Sequence, residues 1–280
     1  MLSILQPNHH YPATLWYHHI YQQVLTTAPS HHEAKTITSR LLAHYLPYTT
    51  KHHILDTPLQ ATSKQFAQLH NALKRLAQDE PLQYILGHAL FLNHTLKINP
   101  NVLIPRSETE QMVAHIINEK HPCTNILDLC TGSGCIAIAL KKAYPYAHVY
   151  ALDVDHKTLQ VARDNAHSLQ VAIHWLKGAL LHTPLPQKKW NLIVSNPPYI
   201  PLAEKNDLQN NILNHEPHQA LFVPNHNPLI FYKRIAQLAT EHLESRGYLY
   251  VELHENFSQY VADIFVEIGF KAVHLHRDLN

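Results

Sequence analysis

Asn125-Ile126-Leu127-Asp128-Leu129-Cys130-Thr131-Gly132-Ser133-Gly134, followed at once by Cys135-Ile136-Ala137-Ile138-Ala139-Leu140, is the stretch that decides the fold. NILDLC is a short, mostly apolar run that reads as a buried strand, and CIAIALKKAY continues as a helix. Between them lies a turn with two glycines, in a chain of 280 residues that holds 6 glycines in all. Where glycine is so scarce, it answers a backbone need: Gly132 and Gly134 let the main chain pass close to a ligand with no side chain in the way. The helix N-terminus behind the turn adds free N–H groups. A lone G-x-G carries little alone, because dinucleotide enzymes use glycine-rich turns too.

Reading outward, the alternation repeats. HVYALD is a strand, HKTLQVARDNAHSL a helix, VAIHWL and NLIVS are strands, PLIFYKRIAQLATEHLES is a helix, GYLYVEL a strand and ENFSQYVADIFVEIG a helix, with AVHLH as a last strand. Short apolar strands alternating with amphipathic helices predict an α/β, doubly wound, mostly parallel sheet, with ligands at the carboxyl ends of its strands. Asp153 ends HVYALD about twenty residues after the glycine turn, where an acid accepts hydrogen bonds from both hydroxyls of a ribose. A helix follows, so Asp153 could instead be its cap, although Asp155 is better placed for that.

Ser195-Asn196-Pro197-Pro198-Tyr199 follows the apolar strand NLIV. Two prolines cannot continue a sheet, so they make a stiff loop. An amide or arylamine NH2 is a weak nucleophile because its lone pair is delocalised. Two acceptors aimed at its hydrogens, the Asn196 side-chain oxygen and the Pro197 carbonyl, raise electron density on that nitrogen and orient it. Tyr199 offers a flat face to hold it in line with an electrophilic methyl group. Positioning and fixed dipoles then carry the rate, and no metal is required. The alternative is a purely structural proline turn.

The N-terminal eighty residues read as helices. Leu15, Trp16, Ile20, Tyr21, Val24 and Leu25 recur at helical spacing. Ser30 and Glu33 form a capping-box pattern before Ile37, Leu41, Leu42 and Tyr45. A third helix runs from about Thr62 to Ala77. This bundle, residues 1–80, is either a docking module for a macromolecular substrate or an appendage. Residues 81–105 form a linker: PLQYILG is a helix closed by Gly87, and a hairpin is expected around Asn99-Pro100-Asn101. Ser107 and Glu110 suggest a second capping box, opening a domain that spans residues 106–280.

Composition bounds the function. Charged residues are 15% and nearly cancel to a formal +1, without the basic surplus of a phosphate-neutralising protein. No apolar run is long enough to span a membrane, and the N-terminus MLSILQPNHHYP does not read as a signal peptide. Cys123, Cys130 and Cys135 form no CxxC pair, which suits a reducing cytoplasm. The 26 histidines are scattered without ligand spacing, so no metal site is expected.

Taken in order, EPLQYILGHALFLNHTLKINPNVLIPRSETE, ILDLCTGSGCIAIAL, NLIVSNPPYIP and HEPHQALF resemble the release factor glutamine N(5)-methyltransferases of the HemK/PrmC type, across roughly residues 80–222. The resemblance implies a class I S-adenosylmethionine-dependent methyltransferase with a Rossmann-like, seven-stranded sheet, a five-helix N-terminal domain and a β-hairpin linker. It implies methylation of the glutamine in the Gly-Gly-Gln loop of class I peptide chain release factors, by a cytoplasmic monomer without direct nucleic-acid contact. By position, Asp128, Cys130, Thr131, Gly132, Ser133, Gly134, Asp153, Leu180 and Asn196 would hold S-adenosylmethionine. Asn196, Pro197, Pro198 and Tyr199 would hold the glutamine amide. Arg106, Glu108 and Glu110 match a PRxETE stretch beside the site.

The chain departs from the family pattern at several points. Cys130 stands for the usual first glycine, Ala179 for an acid near the adenine, Asn227-Pro228-Leu229 for Asp-Gly-Leu, and Leu253-His254 for Ile-Gly. The sequence stops at Asp278-Leu279-Asn280, short of the family's tail. Two other readings stay open from the residues: an adenine-N6 methyltransferase on DNA or RNA, and a degenerate methyltransferase fold that binds without catalysis.

Overall fold

The computed structural model describes residues 5–278, which divide into two compact units. One comprises the chain up to Gly87 together with Asn210–His215; the other comprises His88–Gln209 and the chain from Glu216 onward.

In the first unit, a short antiparallel pair joins β1 (His10–Tyr11) to β2 (Leu59–Gln60). The helices are α1 (Ala13–Val24), α2 (His31–Tyr45), α3 (Thr50–Ile54), α4 (Ser63–Leu76) and α5 (Leu82–Leu86). Trp16 and Ile20 of α1, Leu41 and Leu42 of α2 and Leu69 of α4 meet in one core with almost no exposure. Each such side chain contributes about 1.5–3 kcal/mol by burial. The helix starts follow from local chemistry. Ser30 Oγ accepts from Glu33 N at 3.1 Å. Thr62 and Gln65 cap each other reciprocally, at 3.3 and 3.0 Å. Gly87, in the left-handed region at φ +74°, ends α5.

The second unit opens with a hairpin of β3 (His88–Phe91) and β4 (His94–Lys97). Its turn is Leu92-Asn93, not the expected Asn99-Pro100-Asn101. Both turn residues have positive φ, +45° and +37°, as a two-residue hairpin requires. The proline segment instead makes a local Asx turn, with Asn99 Oδ1 accepting from Asn101 N at 2.9 Å. The capping box expected at Ser107 does not form either. Arg106 takes the cap position of α6 (Ser107–Glu119), and the Ser107 hydroxyl donates to Glu108 at 3.0 Å.

The core of this unit is a parallel sheet. Its strands in chain order are β5 (Asn125–Leu129), β6 (His148–Asp153), β7 (His174–Lys177) and β8 (Trp190–Ser195). A separate parallel pair, β9 (Ile200–Pro201) with β10 (Phe222–Val223), precedes the last strand, β11 (Leu243–Val251). The spatial order is β11-β8-β5-β6-β7. The intervening helices are α7 (Cys135–Ala143), α8 (His156–Ser168), α9 (Asn210–His215, which belongs to the first unit), α10 (Ile230–His242) and α11 (Ser258–Ile268).

The described residues thus form a five-stranded sheet where seven strands were expected. AVHLH, the expected last strand, is irregular: Ala272 turns the chain at φ +54°, and His274 and Leu275 face solvent. The helix expected to reach Ser245 stops at His242, because Leu243 already pairs with Trp190. Leu279 and Asn280 lie outside the described residues.

The chain leaves central β5 toward β6 and β7, then crosses back to β8 and β11 on the other side. That reversal opens a crevice beyond the carboxyl ends of β5 and β8, where ligands of doubly wound sheets bind.

Candidate active site

The glycine turn closes the carboxyl end of β5. Cys130, Gly132 and Gly134 all have positive φ, at +62°, +56° and +83°. For Cys130 this is a left-handed backbone carrying a side chain, which costs about 1–2 kcal/mol relative to glycine. Asp128 braces the turn from beneath. Its Oδ2 accepts from Thr131 Oγ1 at 2.5 Å and from Ala137 N at 3.2 Å. Its Oδ1 is buried without a partner, and burial pushes the carboxyl up to about 7. Asn165 of α8 clamps the turn to the hairpin. Its Oδ1 accepts from Lys97 N at 2.7 Å, and its Nδ2 donates to Lys97 O at 2.9 Å and Ser133 O at 3.0 Å.

A cavity of about 400 Å³ opens above the turn, a volume suited to a small-molecule ligand. Cys130, Thr131, Gly132, Ser133, Asp153 and Leu180 line it, and so do Asn196 and Pro198. Asp128 does not; its side chain lies wholly inside the fold. Gly134 and the side chains of Pro197 and Tyr199 also lie off the lining. A Cβ on Gly132 would meet no protein atom within 4 Å, so the glycine leaves a cradle. A Cβ on Gly134 would stand 3.2 Å from Ala162 Cβ, so that glycine permits α7 and α8 to pack closely.

Asp153 faces the cavity, largely buried, and burial raises its pKa. Its Oδ2 accepts from Gly132 N at 3.0 Å and its Oδ1 from Asp155 N at 3.2 Å. The cap of α8 is Asp155, which accepts from Lys157 N at 2.6 Å. Main-chain N–H groups of Gly132, Val154 and Asp155 thus hold the Asp153 carboxylate in the cavity wall.

On the far side, Ser195 Oγ donates to Leu129 O at 2.8 Å and locks the end of β8 to the glycine turn. Asn196 Nδ2 donates to Thr109 Oγ1 at 2.9 Å. Thr109 Oγ1 donates in turn to Glu252 Oε2 at 2.5 Å, and Tyr199 OH donates to Glu252 Oε1 at 3.1 Å. Burial raises the pKa of Glu252 and of the Tyr199 phenol. Arg106 lines the cavity too and donates to Glu216 Oε1 at 2.6 Å, while Glu216 Oε2 accepts from Ile104 N at 3.3 Å.

Thr109, Glu252, Asn165 and Glu216 (the last within HEPHQALF) are site residues that no single position of the sequence marks out. Thr109 lies inside the PRxETE match, where the charged residues around it carry the stronger signal. Glu252 follows the apolar strand GYLYV just as Asp153 follows HVYAL. An acid at the carboxyl end of a buried strand was the signal available. Among the described residues no three His, Cys, Asp or Glu side chains stand together as metal ligands, and no helix is long and apolar enough to cross a membrane.

Two family models match the chain: the PrmC N-terminal domain over residues 21–87 and the methyltransferase small domain over residues 107–221. The release factor glutamine methyltransferase of Flavobacterium psychrophilum is 38% identical over 231 residues, covering 81% of each chain. That of Bacteroides thetaiotaomicron is 38% identical over 213 residues, covering 76% of this chain and 77% of the relative. In fold, the hMettl16 catalytic domain, solved in complex with MAT2A 3'UTR hairpin 1, matches with a TM-score of 0.50 at 15% identity, over 89% of this chain and 83% of that one.

Proposed function

Because the chain belongs to the release factor glutamine methyltransferase family, we infer that it transfers a methyl group from S-adenosylmethionine to the side-chain nitrogen of a release factor glutamine. The observation that carries this beyond family membership is one cavity holding both halves of the chemistry. Gly132 and Asp153 line it from one side, and Asn196 lines it from the other.

The residues fit the cofactor. The cradle at Gly132 admits a ligand against bare backbone, and Asp153 presents its carboxylate to the cavity where the ribose hydroxyls would lie. Leu180 gives the cavity an apolar wall, and Thr131 and Ser133 contribute the rest of the turn. Asp128 and Gly134 act through the shape of that turn. When bound, S-adenosylmethionine supplies an electrophilic methyl group on a positively charged sulfur.

The acceptor side belongs to the loop after β8. With Nδ2 committed to Thr109, Asn196 has its Oδ1 free to accept one hydrogen of the glutamine amide. The Pro197 carbonyl accepts the other, and Pro198 stiffens the loop. Two acceptors localise electron density on the amide nitrogen and point it along one line. Tyr199 lies off the cavity lining, held by Glu252, and supports the loop that carries Asn196. The nitrogen sheds its extra proton after the transfer, so no strong base is needed. The substrate glutamine is that of the Gly-Gly-Gln loop of class I release factors. The helical unit docks the rest of that protein, and the enzyme acts as a cytoplasmic monomer where release factors work.

Asn196→Ala tests this reading. The expected result is a fall in kcat of about 10²–10³, the usual loss for one preorganised hydrogen-bonding group, with the cofactor dissociation constant unchanged within about threefold. Near-normal turnover in the variant contradicts the assignment.

A further inference from the structure

Asn196 is useful as an acceptor only if its oxygen, and not its nitrogen, faces the cavity. An amide turns over by a half-rotation at little steric cost, so something must choose. Two side chains converge on the Glu252 carboxylate: Thr109 and Tyr199 donate to its two oxygens, and Asn196 donates in turn to Thr109. An ionised carboxylate accepts and cannot donate. Thr109 must therefore spend its single hydroxyl hydrogen on Glu252 and turn a lone pair to Asn196. A lone pair there demands the Nδ2 end of the amide, which leaves Oδ1 for the cavity.

We propose that Glu252, acting through Thr109, is the positioning residue that fixes the polarity of the Asn196 amide. The proposal rests on reading Asn196 as the acceptor of the glutamine amide. It adds the reason that this asparagine presents the correct end.

The carboxylate is itself held. Its strand is anchored by Glu252 N donating to Ser195 O at 3.0 Å and by Tyr232 OH donating to Glu252 O at 3.3 Å. Around the carboxylate stand Glu108 and Arg106 at the start of α6, Tyr199 from the loop, Tyr232 from α10 and Cys135 from α7. Burial is the largest influence on Glu252, and it favours the neutral acid. A protonated Glu252 can donate to Thr109, and Thr109 can then donate to Asn196. The relay reverses, and the amide presents Nδ2, a donor, to a substrate NH2 that needs an acceptor. Turnover is thus high while Glu252 is ionised and falls as pH drops through a value above the ordinary carboxylate range.

The test compares Thr109→Val, Thr109→Ser and Asn196→Ala, with kcat, KM and cofactor affinity measured for each on the release factor substrate. Valine keeps the shape and removes the hydroxyl. We expect Thr109→Val to lower kcat by at least tenfold with cofactor affinity unchanged within twofold, and Thr109→Ser to stay within about threefold of the wild type. Thr109→Val retaining kcat while Asn196→Ala is inactive overturns the relay alone. Equal losses in the valine and serine variants also overturn it, because they trace the effect to packing. Active Asn196→Ala overturns instead the reading on which the relay rests. The pH dependence of wild-type kcat needs no variant: an acid limb supports the relay, and a flat profile from pH 8 to about 4.5 overturns it.

Discussion

Adding one methyl group at Gly132 separates the fold's needs from the ligand's. Gly132 sits at φ +56°, and a Cβ there would meet nothing within 4 Å. In the free protein, Gly132→Ala therefore carries only the left-handed backbone cost, about 1–2 kcal/mol. For a unit of this size that is a fall in Tm of roughly 2–8 °C. The new methyl group stands in the cradle assigned to the cofactor, so binding should weaken by at least about tenfold, or 1.4 kcal/mol. Gly134→Ala should do the reverse. Its φ of +83° adds the same backbone cost, and its Cβ would stand 3.2 Å from Ala162 Cβ and 3.3 Å from Ile138 Cδ1. Overpacking adds about 1–3 kcal/mol, and the cavity is not touched. Calorimetric titration with S-adenosylmethionine and thermal melts of both variants decide the matter. If Gly132→Ala binds within twofold of the wild type, the ligand does not approach that glycine, and the assignment of the cradle is wrong.

Other consequences follow from buried polar groups. Asp128 is raised from 3.8 in the unfolded chain to about 7 in the fold, so the native state holds the proton more tightly. Its contribution to stability is full below about pH 4 and is lost as pH rises through 7; urea unfolding at pH 5 and pH 8 should show a weaker pH dependence in Asp128→Asn, and an unchanged slope contradicts the assignment. Asn165→Ala removes hydrogen bonds of 2.7, 2.9 and 3.0 Å and strands buried main-chain groups. It should cost about 2–4 kcal/mol in urea unfolding, and a loss under 0.5 kcal/mol is the contrary result. Arg106→Ala leaves Glu216, buried to 4% exposure, without its cation. A loss of about 2–4 kcal/mol is expected by the same measurement, and a neutral effect would show that solvent reaches the carboxylate.

The parts of the fold that sequence made legible are those set by periodicity and local chemistry. Each of the strands in the parallel sheet is visible as an apolar run, and the helix ends at Ser30 and Gly87 are visible as cap residues. What escaped was set by backbone torsion or by distant partners. Leu92-Asn93 turns the hairpin with both residues at positive φ, which asparagine adopts readily and leucine only at a cost of about 1–2 kcal/mol, so residue type points instead to the proline beside asparagine. AVHLH alternates like a strand but finds no ladder partner after the bend at Ala272. Cys130 keeps the left-handed backbone of a glycine position, which residue type alone argues against. At the site, Asp153 and Asn196 could be named from their places at strand ends. Glu252 shares that strand-end signal, but its pairing with Thr109 is not legible, because the two meet in a contact across 143 positions of sequence.

The most direct test of the central claim is methyl transfer from labelled S-adenosylmethionine to a purified, unmethylated class I release factor, with duplex DNA as a parallel acceptor and peptide mass spectrometry to locate the label. The account predicts one methyl group on the glutamine of the Gly-Gly-Gln loop and none when that glutamine is replaced. Label on DNA, or on neither acceptor with a folded enzyme that binds cofactor, would contradict it.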